Sequence, residues 1–460
     1  MSEALKTLAI TSFHPHISRN ILLTGALNRL KNNPSLRIVL IVPDYKKDYF
    51  EKTFGGEKIS VHGASLYRAS ATKRGLFFKK LAIFIFNTKS AKNLKNYNFY
   101  LNKKRFRFLA VKFIEQFGRF FFVRKFARFL DSRFSPKGFF LPFLREYKPD
   151  LVFSTDVQNE NDVGLLRDAK DLHIKTVGMV RSWDNLSLRI LRIFPDCLFV
   201  GSDEIKKEAV KLQGFPEERI VVAGNPHYDR YATSPVKTKE EFLKEFGLPM
   251  DGKKIVLFAP ISDALIRRND VDRHILEHLA LMKDVRVIVR FPPEKKVTME
   301  GFQKPPNMIY DRPGVFFKEG KYGDNEIGLE DDTRLIEELY YSDAVVTGPT
   351  SVALDAQLVD RPVIAVNFYP TPRPFWETVW RFADDHIVKL ANTGGIHISE
   401  SSEDFLRTLK RFLNNPREQA NGRAYARAMW FSHADGKSGK RLAEELLRKL
   451  GLVDIALRQS

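Results

Sequence analysis

The chain has a single cysteine, Cys197, among its 460 residues. One thiol excludes a disulfide framework and a cysteine-based zinc site, and it accords with a reducing, cytoplasmic setting. Long apolar runs are also missing: none approaches the roughly 18 residues a membrane-crossing helix requires. The opening "MSEALKTLAITSFHPHISRN" has neither a basic leader nor a long apolar core, so no secretion signal is expected. No spacing of His, Asp and Glu suggests a metal site. Acidic residues are scarce in one place. Between residues 73 and 148 only Glu115, Asp131 and Glu146 oppose twenty Lys and Arg. The whole chain carries a formal charge of +19, and this segment supplies +17 of it, with 18 of the 38 Phe. A nearly neutral protein therefore carries one basic, Phe-rich insertion.

What remains reads as α/β. Residues 5–11, 18–31 and 37–42 form a strand–helix–strand unit, with Ser18 as the helix cap. After a strand near 58–62 and the insertion, alternation resumes through strands at 151–154, 176–180, 197–200 and 220–223. The turn-rich "GNPHYDRYATSP" resembles a linker, and a second series starts at "KKIVLFAPIS". The economical reading is two doubly wound domains, 1–225 and 236–430, closed by a C-terminal helical segment, 431–460, packing back across them. In such sheets ligands lie beyond the carboxyl ends of the strands, where "SFHPHI", "SWDN", "APIS" and "GPTS" all fall.

The stretch "VVTGPTSVALDAQLVDRPVIAVNF" holds the sharpest local question. A strand ends at Thr347, a helix begins near Val352, and small hydroxyl residues fill the hinge. Thr350 or Ser351 reads as a plain N-cap. The free N–H groups of a helix start read equally well as an anion site.

Three motifs carry a family resemblance from about residue 150 to the C-terminus. "SWDNLSLRILRIFPDCLFVGSDEIKKEAVKLQGFPEERIVVAGNPHYDRY" resembles the middle of bacterial glycosyltransferase-like proteins of the GT-B class that act in cell-surface carbohydrate synthesis. "GPTSVALDAQLVDRPVI" resembles the helix-start motif of CDP-glycerol glycerophosphotransferases, and "DGKSGKR" resembles their closing motif, which nucleotide-sugar 2-epimerases share. The resemblance implies two Rossmann-like domains facing a cleft, with the nucleotide donor in the second. Two departures stand out. Phe291, in "VRFPPEKK", occupies the position of a family His, and Gly348 occupies that of a usual acid. "TSVALDAQ" lacks the Gly-Gly and Glu-Glu of the 2-epimerases, which ranks an epimerase third.

For the donor, the resemblance implicates Thr350 and Ser351 at the diphosphate. Asp355, one turn on, could bond a ribose hydroxyl or be a solvated helix carboxylate. Ser262 could offer its backbone N–H, or merely close a turn. Arg290, at a strand end, could fork onto phosphate or form a surface salt bridge. His227 in "GNPHYD" is a ligand candidate beside ordinary turn chemistry. For the base, His14 and His16 follow the first strand. Asp184 of "SWDN" is their rival, or else a cap for a helix at 186–193, and Trp183 could wall a sugar. No cofactor is expected: the substrate is a nucleotide-diphosphate donor, a nucleotide-sugar or CDP-alditol, and the acceptor a lipid-linked glycan.

In the insertion, Phe113, Phe117, Phe120 and Phe121, then Phe122, Phe126 and Phe129, recur at helical spacing with basic residues between them. Such a helix can turn Phe inward while Lys and Arg snorkel outward. The charge excess fits an anionic membrane surface with Phe at the interface. Nucleic acid is the poorer match, since no recognition motif is present. The expected protein is thus a transferase of cell-surface polysaccharide synthesis, held peripherally at the inner face of the cell membrane. A CDP-glycerol-type glycerophosphotransferase and a non-catalytic binding or scaffold protein are the alternatives.

Overall fold

Continuous apolar runs such as "IVLIV" and "KIVLF" suit strands buried on both faces, as a parallel sheet requires. The computed structural model describes residues 5–66, 71–293, 295–317 and 325–452 and bears this out. The expected segments at residues 1–4 and 453–460 lie outside the described residues, as does Glu294 of "VRFPPEKK". The chain divides into two compact units. One comprises the residues up to Ala232 together with those from Trp430 on, and the other comprises Thr233–Met429.

The first unit holds β1 (Lys6–Thr11), β2 (Leu36–Pro43), β3 (Ile59–Ala64), β4 (Leu151–Ser154), β5 (Lys175–Met179), β6 (Cys197–Val200) and β7 (Ile220–Val222). They pair in parallel in the order β3-β2-β1-β4-β5-β6-β7, so the direction of winding reverses between β1 and β4. The closing helix Ser438–Leu450 packs its Leu442, Ala443, Leu446 and Leu450 into this unit's core beside Ala26, Leu27 and Leu30. Two sequence motifs meet there. Asp229 of "GNPHYD" accepts from the Ser438 and Gly439 N–H groups at 2.8 and 2.7 Å, which caps the closing helix.

The second unit holds β8 (Lys254–Phe258), β9 (Val285–Arg290), β10 (Met308–Asp311), a short antiparallel pair β11 (Val315–Phe316) and β12 (Asn325–Glu326), then β13 (Ala344–Thr347), β14 (Val363–Val366) and β15 (His397–Ser399). Its parallel order is β10-β9-β8-β13-β14-β15, reversing between β8 and β13. Both units are thus doubly wound, with a crevice at a switch point.

Two local expectations need correction. The helix expected over 18–31 is two pieces: a π-helical turn Ser18–Leu22, then Gly25–Lys31 capped by Thr24, whose hydroxyl accepts from the Ala26 N–H. Ser18 is therefore no cap; the real cap lies six residues on. No helix spans 186–193 either, only a single 3-10 turn at Asn185–Ser187, and the Asp184 side chain caps nothing.

In the insertion, the reading that turns the Phe inward is the one the exposure disfavours. The insertion contains helices Lys73–Phe84, Lys89–Asn102, Arg105–Phe117 and Phe121–Phe134, the last two separated at Gly118. A Cβ on Gly118 would sit 1.5 Å from the Ile85 carbonyl oxygen, so the chain turns where only glycine fits. The core of this bundle is small: Ala82, Ile85, Phe86, Ala91 and Ala127 with Ile190 of the body. Most Phe of the last two helices point outward, Phe106 being 90% and Phe122 68% exposed. The acids do the reverse. Glu115 is buried against Lys95 at 2.6 Å, and burial brings that ammonium down to about 8. Asp131 is buried between Arg167 at 2.6 Å and Arg192 at 2.8 Å. The two acids within the helices are thus spent on internal pairs, and the exposed surface retains Lys, Arg and Phe.

Candidate functional site

At the second unit's switch point, "GPTS" lies beside the turn that follows β8. The Thr347 hydroxyl donates to the Ala259 carbonyl at 2.9 Å and lies 2.9 Å from the Thr350 hydroxyl. A Cβ on Gly348 would stand 2.5 Å from Ile261 Cγ1, in a side chain that is itself buried. The family's acid has no room at this position unless Ile261 moves.

Thr350 is the N-cap residue of helix Ser351–Leu358, but its side chain does not cap. That helix therefore opens with no side-chain cap among the described residues, and exposed Ser351 is its first residue. Polar N–H groups at such an end need water or an anion.

The neighbours expected to help do not converge on this opening. Ser262 is buried with φ +76°, and its N–H donates to Asp272 Oδ2 at 3.1 Å, so it is not offered to a phosphate. Arg290 is buried too. Its Nη1 bonds Asp311 Oδ2 at 2.6 Å and Glu338 Oε2 at 3.0 Å, and its Nη2 bonds the Asp331 carbonyl at 2.7 Å. It is neither a phosphate fork nor a surface salt bridge but the hub of an internal network. Burial pushes Glu338 up to about 8 despite Arg290 beside it.

Asp355 is buried, which corrects its reading as a solvated carboxylate. Phe291 is buried with its ring 3.8 Å from the Arg312 guanidinium carbon, so the position of the family His is closed over here.

In the first unit, the loop after β1 lies at the other switch point. His14 Nδ1 accepts from the His16 N–H at 3.2 Å, and the two rings stand 4.9 Å apart, edge to face. Below them lies a polar cluster that sequence reading missed. The Thr11 hydroxyl donates to Asp162 Oδ1 at 2.6 Å and accepts from the Thr155 N–H at 2.9 Å. Asp156 accepts from Arg181 Nε at 2.8 Å. Against its burial, the Arg181 guanidinium and the His14 ring hold the Asp156 carboxyl below its usual range. Burial instead drives Asp162 up to about 8. The available signal was "STD", two hydroxyl residues and an acid at a strand end, which shares only its hydroxyl pair with "GPTS".

His227 is buried among Tyr228 and Tyr231, at ring distances of 4.8 and 5.8 Å. It belongs to the first unit, whereas "GPTS" belongs to the second. Trp183 packs edge to face on Trp430 at 5.2 Å. Among the described residues no cluster of three or more His, Cys, Asp or Glu could hold a metal, and no helix is long and apolar enough to cross a membrane.

A family model described as CDP-Glycerol:Poly(glycerophosphate) glycerophosphotransferase matches residues 179–448, more than half of the chain. The chain belongs to this family. Membership supports a transferase of the glycosyl or glycerophosphate type, and the matched region contains both "SWDN" and the "GPTS" turn. No curated protein matches the chain.

Among solved structures, one similar fold is the UDP-GlcNAc 2-epimerase of Neisseria meningitidis bound to UDP-GlcNAc. It has 12% identity and a TM-score of 0.54, over 96% of this chain and 100% of that one. The UDP-GlcNAc 2-epimerase of Methanocaldococcus jannaschii matches at 15% identity and a TM-score of 0.51, over 96% and 99%. CalG4, the calicheamicin glycosyltransferase, matches at 12% identity and a TM-score of 0.51, over 98% and 99%. These likenesses are of fold: the glycerophosphotransferase-family chain is GT-B-like, as its motifs imply.

Proposed function

We propose that the protein transfers a sugar from a nucleotide-diphosphate donor to a lipid-linked glycan at an anionic membrane surface, in cell-surface polysaccharide synthesis. The observation that carries this reading is the helix start at Ser351, uncapped at the switch point of a doubly wound sheet. The diphosphate takes the N–H groups of that turn, which also meet the charge of the departing nucleotide. Thr350 and Ser351 are the contact residues. Arg290, with its network, positions the strand end.

In the first unit His14 is the favoured base, since it is partly exposed and its charge is felt by the buried Asp156 carboxyl. His16 and Asp184 are its rivals. Transfer of an alditol phosphate from a CDP-alditol is the second reading, favoured by the family match. Buried Phe291 and crowded Gly348 favour the sugar. The test is turnover with UDP-sugars, GDP-sugars and CDP-glycerol in parallel. Consumption of a nucleotide-sugar alone supports the first reading, and of CDP-glycerol alone the second. Consumption of neither would make the chain a non-catalytic binding module.

The membrane partner rests on the insertion, whose outward Phe and unopposed Lys and Arg match an anionic interface. Each basic residue close to such a surface contributes about 1 kcal/mol. Changing exposed Lys103, Lys104, Arg105, Arg107, Arg119 and Lys125 to Gln should therefore release the protein from anionic vesicles. Activity on a soluble acceptor analogue should persist. Co-sedimentation in low and high salt checks this, since about 1 M salt shortens the reach of surface charge to about 3 Å. Equal binding to neutral and anionic vesicles would contradict the electrostatic account. Tight, salt-sensitive binding to RNA without vesicle binding would replace the membrane by nucleic acid.

A further inference from the structure

A cavity of about 240 Å³ opens in the first unit where β2 and β3 end and the insertion rejoins the body. Phe139, Phe140 and Phe143 wall it, and Asp44, His62 and Glu160 supply its polar groups. Although it adjoins the most basic segment of the chain, no Lys or Arg among the described residues lines it.

Each polar group is matched to hydroxyls rather than to anions. Asp44 is exposed at the end of β2, and a Cβ on Gly63 would come within 2.9 Å of its Oδ1, so glycine leaves the carboxylate its place. Glu160 engages Arg192 through Oε2, while its buried Oε1 makes no hydrogen bond and stands 3.8 Å from Arg189 Nη1. His62 lies 4.9 Å from the Phe143 ring, and burial lowers its pKa even with Glu146 and Asp44 nearby. Burial thus favours the neutral imidazole, which has one donor and one acceptor nitrogen. Carboxylate oxygens and an imidazole accept and share hydroxyl protons. The Glu160 charge is met by Arg192 and Arg189, so Asp44 is the group that repels phosphate. Aromatic faces cover the C–H surface that a polyol or sugar presents.

The cavity also adjoins the loop of the candidate base. Phe140 packs on Phe13 at 6.0 Å, one residue before His14. Glu160 lies two residues before Asp162, which bonds Thr11. We infer that this cavity is the acceptor subsite for an uncharged polyhydroxyl group, a sugar ring or an alditol chain, with the Asp44 carboxylate selecting against phosphate at that point. The assignment rests on the transferase reading above for what the occupant does there.

The test uses the full chain, with methyl β-glucoside, ribitol and inorganic phosphate as probes in saturation-transfer NMR. Saturation should reach the glucoside if the occupant is a sugar, or ribitol if it is an alditol, and phosphate should displace neither. Asp44→Asn and Phe139→Ala should each weaken that binding about tenfold, the scale of one lost hydrogen bond to a charged group. Asp44 is exposed, so its variant should melt as the parent does. With a turning-over donor, Asp44→Asn should raise the acceptor KM about tenfold and leave the donor KM unchanged. No saturation of either polyol, displacement by phosphate, or parental binding in both variants would overturn the subsite. Turnover with an acceptor KM that Asp44→Asn does not move would also overturn it, while sparing the transferase reading. Polyol binding lost in Asp44→Asn, in a protein that consumes no donor, would support the subsite and overturn that reading.

Discussion

Ser351→Asp should abolish nucleotide binding while the fold survives. Ser351 is exposed and is the first residue of its helix. An acid in a first turn favours the helix itself, because it complements the dipole. Lost binding in this variant therefore cannot be ascribed to a damaged helix. Against a diphosphate the new charge is repulsive by about 4 kcal/mol at contact distance in surface-like surroundings. That corresponds to a weakening of about 1000-fold. Calorimetric titration of parent and variant with the same nucleotide checks it. Unchanged affinity would return "GPTS" to a plain strand–helix turn.

His14→Ala should cut turnover by about 10²-fold or more, the usual scale of lost general-base assistance, with donor affinity intact. His16→Ala and Asp184→Asn are the controls. His16 touches His14 through its backbone N–H, which survives truncation, so its variant should lose less. Asp184 makes no side-chain cap bond to its 3-10 turn, and Asn keeps its size while removing its charge. Single-turnover rates with donor in excess separate chemistry from binding. Parental rates in all three variants would move the base elsewhere, and the polar cluster of Thr11, Asp156 and Asp162 is the next place to look.

The sequence was most legible where one interaction dominates. Strands buried on both faces must be apolar throughout, so β2, β8, β13 and β14 stood out, and with them both switch points. The turns at the carboxyl ends of the strands followed from that topology. What was not legible depended on partners distant in the chain. Arg290 reads as a free cation at a strand end until Asp311 and Glu338 arrive from other elements. Ser262 reads as a donor until Asp272 takes its N–H. The Phe spacing of the insertion has the period of a buried stripe, yet Gly118 breaks the helix against Ile85 and the bundle has too little core to cover those rings. Glu115 and Asp131 look like relief for the basic charge. Buried in ion pairs, they leave the surface more one-sided than the composition suggests.

The most direct test of the central claim, that the turn at Ser351 binds a nucleotide-diphosphate donor, is a thermal-shift panel of CDP, UDP, GDP and CMP on the parent and on Ser351→Asp. A nucleotide at about a hundred times its dissociation constant adds roughly 2.7 kcal/mol to stability. For a protein of this size that is a rise of a few degrees in melting temperature. The account predicts such a rise for at least one diphosphate, a smaller one for CMP, and none in the variant. A flat panel for the parent, or equal shifts in parent and variant, would contradict it.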